Sequence, residues 1–314
     1  MRGRWLAPSL VLAGLAVFPW LGLPVYFSSL LFNVFFFVAL AQAWNIIGGL
    51  TGYLSFGHVA FVGLGAYTTA MLAKGFNLGP LVTFLSTLPA GLVASGVALL
   101  VGYPCLRLRG PYFAVITLCF AFVVEMAVKN VAWLGGADGL WLKGMKLEAA
   151  ETRAVFYEVM LGLGLAATLT AAWIARGRFG AGLRAIKADE DVALAVGINA
   201  PALKIRAFVL SAFFPGVAGG VLAYYLNYIH PDIVFDINMS ILMVLMALFG
   251  GGRHWLGPVL GAVILTLVNE ALRMFLKGEL ARIIYGLLFI AVILYLPDGL
   301  TAWWQDRRQD QESE

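Results

Sequence analysis

Hydrophobic and polar positions fall into long blocks along this chain rather than alternating. Apolar runs lie near residues 6–24, 25–48, 52–73, 80–101, 111–132, 155–175, 207–228, 238–252, 255–275 and 280–297, with polar stretches between them. About 20 apolar residues of helix cross a hydrocarbon core about 30 Å thick. Backbone amides cannot face lipid unpaired, and the period-two pattern of a barrel strand is absent, so the runs predict helices. The expected fold is all-α, a polytopic integral membrane bundle of about ten transmembrane helices forming one domain over 1–314. A loop at 176–206 and a polar tail at 301–314 stand outside the spans.

Two runs are irregular. The third holds Gly57, Gly63 and Gly65 with His58 among them. The eighth ends in Gly250-Gly251-Gly252, followed by Trp255, Gly257, Pro258 and Gly261. Glycine at this density marks close helix packing or a broken helix. The two runs occupy matching places if the chain is two five-helix halves, and an odd number of spans per half would make those halves inverted repeats. The supporting text is short, Leu64-Gly65-Ala66 against Leu260-Gly261-Ala262, and leaves the repeat open.

Composition narrows the class. Of 314 residues, 61% are hydrophobic and 12% charged. Soluble domains carry about 25% charged residues, so this chain cannot clothe a water-facing surface of its size. The net charge of +4 sits in short connections, which reads as a topology signal rather than nucleic-acid binding. Arg2, Arg4, Arg107, Arg109, the six basic residues of 176–206, Arg253, Arg307 and Arg308 fall on one side of the expected bundle, and the rule makes that side cytoplasmic. On the other side, Lys143, Lys146 and Arg153 are offset by Asp138, Glu148 and Glu151. An even number of spans then places both termini in the cytoplasm. The first run lacks a small-x-small cleavage site and reads as an uncleaved span. Cys105 and Cys119 have no paired spacing, and no metal site is expected.

Within 176–206, residue types from Leu183 to Val196 favour one helix, with Gly197 as its stop. Leu183, Ile186, Glu190, Ala193 and Gly197 fall on one stripe of it. Asn199-Ala200-Pro201 opens a second helix. The element is too polar to span and too short to fold alone. It is either a membrane-surface helix or a docking element for a cytoplasmic partner.

An acidic cluster, then Ala, three residues and Gly-Ile resembles the coupling loop of ABC importer permeases. The chain as a whole resembles the membrane permease subunits of branched-chain amino acid importers of the Liv type. The resemblance lies in Trp44-Asn45-Ile46-Ile47-Gly48-Gly49, Leu54-Ser55-Phe56-Gly57-His58 and Gly63-Leu64-Gly65-Ala66-Tyr67. It continues through Leu106-Arg107-Leu108-Arg109-Gly110-Pro111-Tyr112-Phe113-Ala114, Ile116-Thr117-Leu118 and Lys204 to Gly220. Leu256-Gly257-Pro258-Val259-Leu260-Gly261-Ala262 and Leu296-Pro297-Asp298-Gly299-Leu300 complete it, so that it covers roughly residues 30 to 300. Each motif is weak alone; their shared order is specific. Phe122 departs from the family by standing where an acid is frequent, with Glu125 three residues on.

The resemblance implies an architecture like that of type II ABC importers and a place in a bacterial cytoplasmic membrane. It implies three kinds of partner besides lipid: a homologous permease subunit, two cytoplasmic ABC ATPase subunits, and a periplasmic or extracellular solute-binding protein. Coupling to the ATPases would fall on Arg184, Lys187, Asp189, Glu190, Asp191, Ala193, Gly197 and Ile198. The solute implied is leucine, isoleucine or valine, with urea, an amide or another amino acid as the alternative.

No Gly-x-x-x-x-Gly-Lys-Ser/Thr phosphate loop occurs in the chain. It would therefore bind no cofactor itself, ATP being used by partner subunits, and no catalytic grouping marks it as an enzyme. Polar residues within spans are costly and mark pathway candidates. These are Gln42, Asn45, Ser55, His58 and Thr117. Gln42 and Asn45 share a face at i, i+3, suited to hydrogen bonding inside a bundle or to lining a pathway. His58 suits a hydrogen-bonded core position or a contact to solute or proton. Glu125 with Lys129, and Glu270 with Arg273, read as interfacial pairs. A proton-coupled carrier using His58 and Glu125 is the alternative outside the ABC class. Asp232 and Asp236 read as exterior loop charges within reach of a binding protein.

Overall fold

The computed structural model describes residues 14–15, 18–21, 25–76, 84–142, 148–252, 254–275, 278–295 and 299–301. Most of the expected first span, the tail beyond Thr301, and Arg2, Arg4, Lys143, Lys146, Arg253, Arg307 and Arg308 lie outside the described residues.

The elements run α1 (Val25–Thr51), α2 (His58–Phe76), α3 (Thr87–Cys105), α4 (Pro111–Asn130), β1 (Leu140–Trp141), α5 (Ala149–Arg176), α6 (Arg178–Ala188), α7 (Glu190–Ala195), α8 (Ala200–Leu226), β2 (Tyr228–Ile229), α9 (Pro231–Val234), α10 (Ile237–Gly250), α11 (Gly257–Phe275) and α12 (Gly278–Tyr295). Among the described residues, eight helices are long and apolar enough to cross a membrane, and α12 stands where the tenth span is expected. The chain is a multi-pass membrane protein. β1 and β2 pair antiparallel, Leu140 with Ile229 and Trp141 with Tyr228, and tie the segment after α4 to the end of α8.

The third span starts later than hydropathy suggests. Gly52 takes φ +78°, a left-handed conformation that suits glycine and ends α1. The chain then runs without helix over 52–57, and His58 opens α2 instead of lying within it. The eighth and ninth spans are separated in the same way: 251–252 and 254–256, between α10 and α11, are not helical.

α1 and α8 are the most buried spans and pack against each other. α8 packs on α2 and α3, while α1 packs on α10 and α11; α2 pairs with α3 and α10 with α11. α8, from the second part of the chain, thus packs among the early helices, and α1 among the late ones. Small residues allow the closeness. A Cβ on Gly65 would lie 1.9 Å from the Gly216 carbonyl oxygen, and one on Gly219 would lie 2.0 Å from that of Val62, so the α2 and α8 backbones touch. α5 lies along α1. Leu183, Ile186 and Ala193 join Ile46, Ile47, Leu50, Tyr53, Phe113 and Phe208 in one buried apolar cluster, which seats α6 and α7 against the end of the bundle.

At the opposite end, Lys129 Nζ meets Glu125 Oε1 at 2.6 Å, the pair expected at i, i+4. It also meets Asp232 Oδ1 at 2.5 Å, a partner more than a hundred residues away. Arg273 does not pair with Glu270: its Nε donates to Asn269 Oδ1 at 3.1 Å, also one turn away but nearer the bundle interior.

Candidate functional site

The 176–206 loop folds as a helical knob, but not as one helix. Asp189 is extended (φ −162°, ψ 116°), and its carboxylate accepts from the amides of Asp191 and Val192 at 2.9 and 3.0 Å. It therefore caps α7 and breaks the expected Leu183–Val196 helix in two, because a side-chain acceptor competes with the helical ladder. Gly197 does end α7 as expected. At φ +87° it lets Gly197 N bond Leu194 O and Ile198 N bond Ala193 O, a Schellman closure.

Most of the expected coupling residues attach the knob to the bundle. Arg184 Nη1 donates to Ala175 O at 2.7 Å, and Lys187 Nζ to Gly49 O at 2.9 Å at the end of α1. Ala193 is buried, and Ile198 packs on the same apolar cluster. Asp191 receives both Arg109 Nη atoms, at 2.9 and 3.0 Å.

Glu190 forms the firmest attachment. Its Oε1 accepts from Lys204 Nζ at 2.7 Å and its Oε2 from Tyr53 OH at 2.6 Å. Lys204 also donates to Tyr53 OH at 2.9 Å and to Leu106 O at 3.1 Å, so its three protons have three acceptors. Lys204 is only 3% exposed. Burial pushes the Glu190 carboxyl upward, but the Lys204 and Tyr53 hydrogen bonds and the Arg109 charge outweigh it and hold it below the usual range. Burial, reinforced by Glu190, raises the Tyr53 phenol. The Arg109 hydrogen bonds lower Asp191.

Tyr53, Arg109 and Lys204 were outside the expected site set, and only the charge of Arg109 and Lys204 in short connections hinted at them. A second omission is the outer surface of the knob, where Val192, Leu194 and Val196 are 59%, 42% and 71% exposed. Their interleaving with buried Ala193 is the one signal the sequence carries.

The five pathway candidates form two groups, one at each helix break. Ser55, His58 and Thr117 surround 52–57. His58 Nδ1 lies 3.0 Å from Ser55 Oγ and Nε2 lies 3.1 Å from Ser211 Oγ. Ser211 gives its proton to Phe208 O at 2.8 Å, so its oxygen accepts from Nε2–H, and Ser55 donates to Nδ1. That is a neutral, fully satisfied imidazole. Thr117 Oγ1 accepts from Phe56 N at 3.2 Å and sits one turn above Phe113. Gln42 and Asn45 face the 251–256 break, where Gln42 Nε2 donates to Trp255 O at 2.7 Å. Gln42 Oε1 and Asn45 Oδ1 are buried without a hydrogen-bond partner. All five are buried within this chain.

Tyr53 connects the knob to the first group. Its ring meets Phe113 edge-on at 5.2 Å, Phe113 lies 6.1 Å from Phe208, and Phe208 lies 6.0 Å from the His58 ring. A continuous row of packed side chains thus links α7 to His58.

The structure is thus a helical membrane bundle with a small helix pair clamped to one end by a buried ion pair. The chain belongs to the family described as the branched-chain amino acid transport system / permease component, which matches residues 26–293. Among its relatives, the high-affinity branched-chain amino acid transport system permease protein LivM of Salmonella typhimurium is 28% identical, over 84% of this chain and 67% of that protein. The corresponding LivH of Escherichia coli is 24% identical over 84% of this chain and 90% of that one. A probable LivM of Methanocaldococcus jannaschii is 22% identical over 90% and 91%. No solved structure matches the chain.

Proposed function

We propose that this chain is a pathway-forming subunit of an ATP-driven importer of leucine, isoleucine or valine. It would pair with a homologous permease and receive solute from a binding protein outside the membrane. Two separate ATPases would bind ATP and press on the knob. The Liv relatives, whose names state the solute class, support this reading, as does the lack of a phosphate loop. Its placement in a bacterial cytoplasmic membrane, with both termini and the knob inside, rests on the distribution of Lys and Arg.

The observation that carries the proposal is the Glu190–Lys204–Tyr53 triangle. It ties a helix with exposed Val192 and Val196 to the span break at 52–57. Closure of the ATPases would thus move the knob and the 52–57 break together, rocking the packed halves between outward and inward openings. His58, with both nitrogens taken by hydroxyls, and Glu125, paired with Lys129, are poorly placed to serve a proton-coupled carrier.

The test is reconstitution with the ATPases and binding protein. Uptake of leucine should require ATP, stop with vanadate and survive an uncoupler. Val192→Glu with Val196→Glu should leave the chain inserted yet lower solute-stimulated ATP hydrolysis at least about tenfold, the effect of desolvating unpaired charge at an interface. Uptake that an uncoupler abolishes and vanadate spares would refute the proposal. Exchange of the binding protein tests the solute: stimulation by urea or an amide, and not by leucine, would reassign it.

A further inference from the structure

An open cleft of about 470 Å³ lies beside the knob, between the start of α6 and the segment leading into α8. Arg178 and Arg206 line it, together with Asn199, Ala181, Ile198 and Leu203. Among the described residues, neither guanidinium has a carboxylate within ion-pair distance, unlike Arg109. Asn199 Oδ1 caps α8 by accepting from Ala202 N at 3.1 Å, which leaves its Nδ2 as a further donor at the rim. Among the described residues, the cleft thus combines two arginines outside any ion pair and an amide donor with an apolar wall, and no carboxylate lines it.

Its depth can be read from the helices. α5 has 28 residues and α8 has 27, or about 40 Å each at about 1.5 Å per residue. Both therefore overrun a core about 30 Å thick. Arg178 follows directly on α5, and Arg206 lies in the second turn of α8. Trp173 and Tyr103, 74% and 58% exposed at the same end of the bundle, mark the interfacial layer where aromatic side chains collect. By their places in the chain the two arginines stand at about the level of that layer.

We propose that this cleft binds the phosphate headgroup of an anionic phospholipid. Arg178 and Arg206 hold the phosphate oxygens, for which the planar guanidinium is suited. Ile198, Leu203 and Ala181 seat the first part of an acyl chain. A basic pocket between spans at the headgroup layer is the geometry that selects acidic lipids. The apolar wall favours a lipid over a free anion, and the absence of any lining carboxylate leaves the site positive in the resting chain. The lipid would brace α6 against α8, and so set how firmly the knob is held. The site stands whether or not an ATPase docks on α7.

The test is native mass spectrometry of the purified full chain, titrated separately with phosphatidylglycerol and phosphatidylcholine. The wild-type chain should retain phosphatidylglycerol at least about fivefold more tightly. Arg178→Gln with Arg206→Gln should weaken it about thirtyfold, and either change alone about fivefold, as expected for about one charge's worth of surface attraction each. Arg153→Gln, at the opposite end, should change nothing. Leu203→Trp should weaken the lipid while both charges remain. Equal retention of the two lipids by the wild-type chain overturns the proposal, whatever the folding of the variants. So does competition by inorganic phosphate at equal concentration, which would make this a simple anion site. Complete loss of the lipid on assembly with the ATPases overturns it as well, since the arginines would then belong to a protein interface.

Discussion

At Lys204 a charge sits where few charges can sit, held by Glu190, Tyr53 and the Leu106 carbonyl. Removing one partner of a buried ion pair costs about 3–5 kcal/mol because the other charge is stranded, while an exposed pair such as Arg109–Asp191 is screened by water and contributes little. The triangle, not the surface pair, decides whether α7 stays attached. Lys204→Met should therefore lower the stability of the detergent-solubilised chain by about 3–5 kcal/mol, and adding Glu190→Leu should recover most of that loss. A double variant as unstable as the single one would show that the ion pair is not what matters. Acid offers a second measurement. The Glu190 carboxyl is held below its ordinary value of 4.5, so its contribution is complete above that value and fades as pH falls through the lower, folded-state value. Melting temperatures of the wild type and Glu190→Gln should differ at neutral pH and converge on acidification below about 4.5.

At the scale of elements, the contact of α2 with α8 depends on the absence of side chains. Gly65→Val would drive a methyl group into the Gly216 carbonyl, and overpacking of this kind costs about 1–3 kcal/mol. Fluorescence-detected gel filtration after heating should show the loss, and an unchanged profile would mean that the two helices can slide apart freely. The spans themselves were legible because 20-residue apolar blocks depend only on local composition. The break at 52–57 was not, because hydropathy registers neither the positive φ of Gly52 nor the backbone approach around it. Asp189 was counted among the coupling residues of an acidic cluster, although its short carboxylate also suits a cap. The triangle was illegible for another reason. Tyr53 is 151 residues from Lys204 and 137 from Glu190, and no local pattern brings such residues together. The glycine-rich motifs did point to the polar groups at the two breaks, since close packing and unwound backbone leave a mark in composition.

For the whole molecule, the exchange of α1 and α8 between the two halves is the dominant feature. It makes each part of the chain complete the other's core. A chain cut within 143–147 should therefore yield two pieces that are degraded when expressed singly and recovered as a complex when expressed together; a half that is stable alone would contradict this. The same exchange bears on how the protein is made. The α1 amides of Gln42 and Asn45 are covered by the 251–256 segment, which the ribosome delivers some two hundred residues later. At about 5–20 residues per second that is roughly ten to forty seconds. During that interval the nascent chain carries naked amides in oil, and an insertion chaperone or a membrane protease has time to find them.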